Sequence, residues 1–258
     1  MTIADTPDPR TRFGEAWSLL FSPPVAHRGL WSHEGAPENS LAAFQAACAH
    51  GYGIELDVQL SANGEAMVFH DTRLDRLTGA TGRIGDHTRA DLAKLRLAGS
   101  DEAIPTLGEA LAMVGHRAMV QIELKTPAGE VGPLEKRVHE VLIDHNGPVA
   151  VIGFNPYSHG WFAQHHPKVL RGLNSYAYND EAARTLAPPQ RAAFARLEQV
   201  GIARPHFLAL GCDILPSPRA AELRRGGMPV IAWTVRGAEQ WDDLKPCCDN
   251  LIFEGFAA

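Results

Sequence analysis

The stretch Gly53-Ile54-Glu55-Leu56-Asp57-Val58-Gln59-Leu60, followed by Ser61-Ala62-Asn63-Gly64-Glu65 and Ala66-Met67-Val68-Phe69-His70-Asp71, alternates apolar and acidic residues and then turns back on itself. Successive side chains of a strand point to opposite faces, so Ile54, Leu56 and Val58 share one side while Glu55 and Asp57 project together on the other. Two carboxylates at that spacing repel each other unless a cation lies between them. Asn63-Gly64 offers the positive φ angles of a tight hairpin. A hairpin symmetric about residues 63 and 64 sets Asp57 opposite His70. Two acids, a histidine and a cation site therefore converge on one hairpin.

Working outward, short β-rich runs alternate with helical patterns. Strands are predicted over 25–28, 53–59, 66–70, 118–125, 149–154, 169–173, 207–210, 229–235 and 250–253. Helices are predicted over 39–50, 107–114, 134–145, 158–166, 189–199, 217–225 and 238–244, the first of them capped by Asn39 or Ser40. Alternation of this kind predicts an α/β fold with a parallel sheet covered by helices. Setting aside the hairpin return at 66–70, eight strands remain, which predicts a (β/α)₈ TIM barrel with a small insertion after the second-strand hairpin. The expected organisation is a tail and barrel-covering helix over 1–24, the helix spanning Phe13 to Phe21, and a single domain over 25–258. Residues 71–106 carry few element signals beyond 89–95 and are expected to form the insertion, a small excursion over the C-terminal mouth.

The balance of charge excludes some functions. The chain has 258 residues, a formal net charge of −6 and no block of Lys or Arg. A nucleic-acid surface calls for a basic face, so that partner is not expected. No apolar run approaches the roughly 20 residues of a membrane span, and the polar start Met1–Arg12 lacks the basic and apolar regions of a secretory signal. Cys48, Cys212, Cys247 and Cys248 match neither a zinc site nor a disulfide framework. Reduced thiols in a cytoplasmic protein are the expectation, and a homo-oligomer is compatible with the sequence.

Barrel enzymes carry their chemistry at the C-terminal ends of the strands. Those ends here are His27-Arg28-Gly29, Glu55-Leu56-Asp57, His70-Asp71 and Glu123-Leu124-Lys125. Three hard oxygen ligands, Glu55, Asp57 and Glu123, suit Mg²⁺ or Ca²⁺ better than zinc. Arg28 and Lys125 beside a divalent cation make an anion site whose natural occupant is phosphate. His27 and His70 then read as general acid and general base across a phosphoryl centre. Together these point to metal-assisted phosphodiester chemistry.

The segments Ala26-His27-Arg28-Gly29, Pro37-Glu38-Asn39-Ser40, Glu55-Leu56-Asp57-Val58-Gln59-Leu60, Val68-Phe69-His70-Asp71, Ile122-Glu123-Leu124-Lys125 and Trp233-Thr234-Val235 occur in the order of the glycerophosphodiester phosphodiesterases, which the chain resembles from about residue 24 to residue 255. The resemblance implies a TIM barrel with a short insertion after the histidine-aspartate strand and a place in lipid and glycerol metabolism. It implies a divalent cation, Mg²⁺ or Ca²⁺, on Glu55, Asp57 and Glu123, with His27 and His70 as the acid–base pair. Arg28 and Lys125 would hold the phosphate, and Phe154 and Trp233 would wall the pocket. The implied reaction releases an alcohol and sn-glycerol 3-phosphate from a small glycerophosphodiester: the substrate's own glycerol hydroxyl attacks phosphorus, and water then opens the cyclic phosphate.

Two departures from that family's pattern stand out. Arg236 follows Trp-Thr-Val where the family usually has Asn, and Phe253-Glu254-Gly255-Phe256 replaces a Thr-Asp-x-Pro ending. Both fall at the expected mouth and bear on the glycerol end of the substrate, where Arg236 could instead meet an extra anionic group such as a second phosphate or a carboxylate. Two alternatives remain open in the sequence. One is a phospholipase-type hydrolase of lysolipid headgroups, with Trp31, Phe253 and Phe256 as an apolar ramp; the other is a non-catalytic barrel that binds a phosphate ligand. Glu38 is expected to cap or orient the helix after it, and His145, His159, His165 and His166 are expected on a solvated surface.

Overall fold

The computed structural model describes residues 9–127 and 129–258; residues 1–8 of the expected tail, and residue 128, lie outside the described residues. The described chain forms two compact units, one of residues 25–147 and one in which the N-terminal segment joins residues 148–258.

In the first unit the strands are β1 (Val25–Ala26), β2 (Gly53–Leu60), β3 (Ala66–Val68) and β4 (Val120–Leu124). β1 and β4 both run parallel to β2, with Val25 beside Gly53, Glu55 beside Gln121, and Asp57 beside Glu123. Ile54, Leu56 and Val58 are fully buried, as a strand covered on its apolar face requires. The helix Leu41–Ala49 starts where Ser40 Oγ accepts the Ala43 N–H at 3.1 Å, so of the two capping candidates Ser40 is the cap.

The hairpin differs from expectation by one residue. Val58 pairs with Val68 and Leu60 with Ala66, and the Phe69 N–H donates to Asp57 O at 3.0 Å, so Asp57 faces Phe69 rather than His70. The loop has three residues instead of two. The Ser61 N–H donates to Glu65 O at 2.9 Å, Ser61 Oγ accepts the Glu65 N–H at 2.9 Å, and Gly64 (φ 80°) takes the left-handed position. Asn63 keeps a negative φ while its Oδ1 accepts from Ser61 Oγ and from the Arg89 N–H. Beyond Val68 the strand ladder ends, and Gln59 Nε2 takes over by donating to the carbonyls of Phe69, His70 and Asp71 at 2.8, 3.1 and 2.9 Å.

Residues 71–106 hold more structure than their sequence signals suggest. Short helices at Asp75–Thr78 and Arg89–Leu92 and a 3₁₀ turn at Ile84–Asp86 surround one apolar cluster. Met67, Phe69, Leu74, Leu77, Ile84, Leu92, Leu97 and Ile104 are all buried in it. Apolar residues brought together from six separate places in the chain leave no period in the sequence, which is why the cluster is not legible there.

The second unit carries β5 (Val149–Gly153), β6 (Leu170–Ser175), β7 (Phe207–Gly211), β8 (Val230–Val235) and β9 (Asn250–Phe253), each parallel to the next. Helices Pro156–His165, Pro188–Ala195, Pro218–Arg225 and Ala238–Leu244 alternate with these strands. The helix expected over 13–21 is instead two short ones, Pro9–Phe13 and Glu15–Ser18, because Gly14 between them adopts φ 52°. Trp17 and Leu20 are buried, and Asn250 Nδ2 ties the segment to β9 by donating to Leu20 O at 3.0 Å and Pro23 O at 2.9 Å.

Eight parallel strands, one antiparallel return and the alternating helices put the chain in the α/β class, as a (β/α)₈ TIM barrel with a small insertion after the hairpin. Among the described residues no helix is long and apolar enough to cross a membrane.

Packing within the second unit makes Gly172 intolerant of a side chain. A Cβ at Gly172 on β6 would come within 2.3 Å of the buried Phe207 ring of β7. Gly172→Ala is therefore expected to destabilise the protein by about 1–3 kcal/mol, as overpacking of a core does. Chemical denaturation measures this, and an unchanged midpoint would contradict it.

Candidate active site

Parallel register builds the acidic cluster. β2 and β4 place Asp57 directly beside Glu123, and strand alternation places Glu55 on the same face as Asp57. One carboxylate oxygen from each of Glu55, Asp57 and Glu123 lies within 4.8 Å of the others, and all three residues are buried. Glu55 Oε2 accepts the Arg28 N–H at 3.1 Å, whereas Glu55 Oε1 is buried with no hydrogen-bond donor.

Two positive side chains reach the cluster. Lys125 Nζ lies 2.8 Å from Asp57 Oδ1 and also binds Glu123 Oε1. Arg28 Nε lies 3.4 Å from Asp57 Oδ2, and its Nη1 donates to Glu38 Oε1 at 2.8 Å. Burial opposes charge on all these groups, and their partners decide the outcome. Against burial, Lys125, His70 and Arg28 hold the Asp57 carboxyl far below its ordinary range, while Asp57 and Glu123 raise Lys125. Glu55 goes the other way: burial first, then repulsion from Asp57 and Glu123, pushes it well above the ordinary 4.5.

The histidines flank this cluster. His27 Nε2 lies 3.9 Å from Glu55 Oε2. His70 Nδ1 meets Asp71 Oδ1 at 2.8 Å, which fixes the ring and leaves Nε2 as its outward nitrogen. The structure thus gathers His27, Arg28, Glu55, Asp57, His70, Glu123 and Lys125 in the unit of residues 25–147. Phe154 and Trp233 belong to the other unit. They follow β5 and lie on β8 respectively, with ring centroids 5.6 Å apart, and Trp233 Nε1 donates to Ala209 O at 2.9 Å.

Several residues around the site were missed or misread. Asn39 Nδ2 donates to Asp57 Oδ2 at 2.8 Å, and Asn39 Oδ1 accepts the Asp57 N–H at 3.3 Å, from a backbone at φ 57°. Glu38 does not cap the helix: its buried carboxylate takes Arg28 and both Nη atoms of Arg76. Tyr176 packs edge-on against Phe154 at 5.5 Å. His159 is fully buried rather than solvated, with Nε2 3.0 Å from Gly153 O. Phe253 is buried too, so it cannot serve in an exposed apolar ramp. The two departures from the family pattern meet each other, Arg236 Nη2 lying 3.6 Å from Glu254 Oε1. The sequence signal for that pairing was present: two unusual residues of opposite charge at the ends of adjacent strands.

The donor set fits a hard divalent cation. It is all carboxylate oxygen, and it includes a buried oxygen that no donor satisfies. Charge supports the same fit. Five carboxylates of this network (Glu38, Glu55, Asp57, Asp71 and Glu123) face three permanent cations (Arg28, Arg76 and Lys125), a deficit of two positive charges.

A sequence model of the glycerophosphoryl diester phosphodiesterase family matches residues 27–248. The chain belongs to that family. It is accordingly a phosphoric diester hydrolase by class. It is 36% identical over 248 residues to a glycerophosphodiester phosphodiesterase of Caldanaerobacter subterraneus subsp. tengcongensis, covering 88% of this chain and 92% of that protein. Among solved structures it is similar to an Oleispira antarctica phosphodiesterase in complex with the product sn-glycerol-3-phosphate, at a TM-score of 0.78 and 26% identity, covering 92% of this chain and 94% of that one. It is also similar to a glycerophosphodiester phosphodiesterase from Thermotoga maritima, at a TM-score of 0.70 and 25% identity, covering 90% and 94%.

The raised Glu55 carboxyl has a consequence for metal-free protein. Its folded form holds a proton that the unfolded chain releases above 4.5, so this stabilisation is present below that pH and is lost as pH rises toward the folded value. Asp57, Asp71 and Glu38 act in the opposite sense, but only at pH near and below their ordinary 3.8 to 4.5. Buried His206, held down to about 3, also favours the folded protein increasingly as pH rises toward 6.5, so the Glu55 contribution is read as the difference between the wild type and Glu55→Gln. In chelator, the melting temperature of the wild type above about pH 5 should decline relative to that of Glu55→Gln as pH rises. Parallel slopes for the two proteins in scanning calorimetry would contradict the assignment.

Proposed function

We propose that this protein hydrolyses glycerophosphodiesters to an alcohol and sn-glycerol 3-phosphate. The observation that carries this reading is the buried triad Glu55, Asp57 and Glu123 flanked by two histidines and two cationic side chains, in a chain of this family. The sn-glycerol-3-phosphate bound to the Oleispira antarctica relative supports the glycerol end of the substrate.

The residues divide the work by charge. Glu55, Asp57 and Glu123 would hold a divalent cation, Mg²⁺ or Ca²⁺, and such an ion would supply positive charge beside the phosphate. Arg28 and Lys125 bind the same phosphate from the protein side, and both stay charged at any working pH. Phe154 and Trp233 offer apolar faces to the substrate's carbon skeleton. Of His27 and His70, one takes the proton of the glycerol hydroxyl that attacks phosphorus, and the other protonates the departing alcohol. In the second half the roles reverse: the histidine that lost its proton now takes one from water, which opens the cyclic phosphate. Nucleophile and phosphorus belong to one molecule, so proximity supplies much of the rate.

The single-domain reading of 25–258, with its insertion at about 71–106, belongs to this proposal and draws support from a family match that runs through both units. A cytoplasmic location also belongs to it, in keeping with four cysteines that form no disulfide.

A panel of glycerophosphocholine, glycerophosphoethanolamine, glycerophosphoinositol and lysophospholipids, assayed for the released phosphomonoester (sn-glycerol 3-phosphate from the glycerophosphodiesters, lysophosphatidic acid from the lysolipids), tests the reading. Activity on the glycerophosphodiesters is expected, to be abolished by EDTA and restored by Mg²⁺ or Ca²⁺. His70→Ala should lower kcat by about 10²–10⁴-fold. Turnover confined to lysophospholipids would transfer the reading to a lysolipid hydrolase, and full activity in chelator would remove the metal role of the triad.

A further inference from the structure

Arg76 belongs neither to the acidic cluster nor to the histidine pair, yet its guanidinium lies at the middle of a chain of charged hydrogen bonds that joins them. On one edge Nε donates to Asp71 Oδ2 at 2.6 Å and Nη2 to Asp71 Oδ1 at 3.0 Å, and Oδ1 is the oxygen that meets His70 Nδ1 at 2.8 Å. On the other edge Nη1 donates to Glu38 Oε2 at 2.9 Å and Nη2 to Glu38 Oε1 at 2.8 Å, and Oε1 also accepts from Arg28 Nη1 at 2.8 Å. Arg28 continues the chain to Asp57 and to Glu55. One residue of the insertion thus stands between the ring of His70 and the guanidinium of Arg28.

Its own place is set by packing. Arg76 lies on the turn Asp75–Thr78 between Leu74 and Leu77, both buried in the apolar cluster of residues 71–106. The side chain is 49% exposed, and an isolated ion pair at that exposure contributes little. Here the pairing is bidentate on two carboxylates at once, and one of them, Glu38, is only 4% exposed. A planar fork with donors on both edges meets that demand, and a lysine ammonium does not.

We propose that Arg76 is a positioning residue for the reaction: it holds Asp71 against His70 and shares Glu38 with Arg28, so that the insertion braces the general acid–base group and the phosphate-binding arginine together. The proposal rests on the roles given to His70 and Arg28 above. Without Arg76, Asp71 loses the fork that orients it toward His70. Glu38 is then left buried with Arg28 as its remaining arginine, and that guanidinium is drawn toward Glu38 and away from a phosphate.

Steady-state kinetics and melting temperatures of Arg76→Met, Arg76→Lys, Asp71→Asn, the Arg76→Met/Asp71→Asn double variant and His70→Ala test this in metal-saturated enzyme. Arg76→Met should lower kcat by about 10–100-fold, the range found when a partner that orients a ligand or catalytic side chain is removed. Its KM should rise as Arg28 is withdrawn, and its melting temperature should stay near that of the wild type. Arg76→Lys should recover only part of the kcat. Because Arg76 acts through Asp71, the double variant should be about as slow as the slower single variant, instead of showing the product of the two losses. Wild-type kcat in Arg76→Met, multiplicative losses in the double variant, or losses that track the melting temperature would each overturn the proposal. Wild-type turnover by His70→Ala would instead overturn the acid–base reading beneath it.

Discussion

The side-by-side pairing of Asp57 and Glu123 on adjacent parallel strands is the constraint on which the site depends. Parallel register fixes their separation, and strand alternation brings Glu55 to the same face, so three carboxylates are buried within reach of one another. Burial and mutual repulsion would ordinarily drive such groups to take up protons. Glu55 responds in that way, whereas Lys125, His70 and Arg28 hold Asp57 ionised. With all five of its carboxylates ionised, the network would be short of positive charge by the amount a divalent cation carries; without the cation, protonation of Glu55 relieves part of that deficit.

The side chains around the acidic cluster supply positive charge or hold one of its charged groups in place. Arg28 is held from three directions, by its own backbone N–H on Glu55, by Glu38, and by its approach to Asp57. Asn39 clamps Asp57 through both its side-chain atoms. Gln59 pins the carbonyls of the segment bearing His70 where the strand ladder has stopped. The insertion is stabilised by its own buried cluster and extends Arg76 into the same network. Polar side chains that look ordinary in isolation become essential here because an unmatched buried carboxylate is so costly.

How much was legible follows from the range of the forces involved. The i, i+2 acids, the paired histidines and the Glu123-Lys125 ending could be read because strand periodicity is local and the chemistry of the side chains is intrinsic. The hairpin register could not: Asn63-Gly64 suggested a two-residue turn, but Ser61 and the distant Arg89 N–H engage Asn63 and the loop takes three residues. Glu38 read as a helix-end acid because its arginine partners lie 10 and 38 positions away in sequence. His159 looked like one of a solvated group until Gly153 O was found to meet it in the interior. Arg236 and Glu254 stood apart in the sequence as separate oddities, and the structure sets them 3.6 Å from each other.

The amino-acid sequence by itself determined the strand–helix alternation, the barrel class, the acidic and basic side chains of the site and its likeness to one family, since each of these follows from local periodicity or from short contiguous motifs. The tertiary structure decided which charges face which. That includes the register that joins Asp57 to Glu123, the two forks of Arg76, the burial that lifts Glu55 and the partners that hold Asp57 down. Ion pairing and desolvation depend on distance through space and on excluded water, and neither quantity is written in the spacing of residues along a chain.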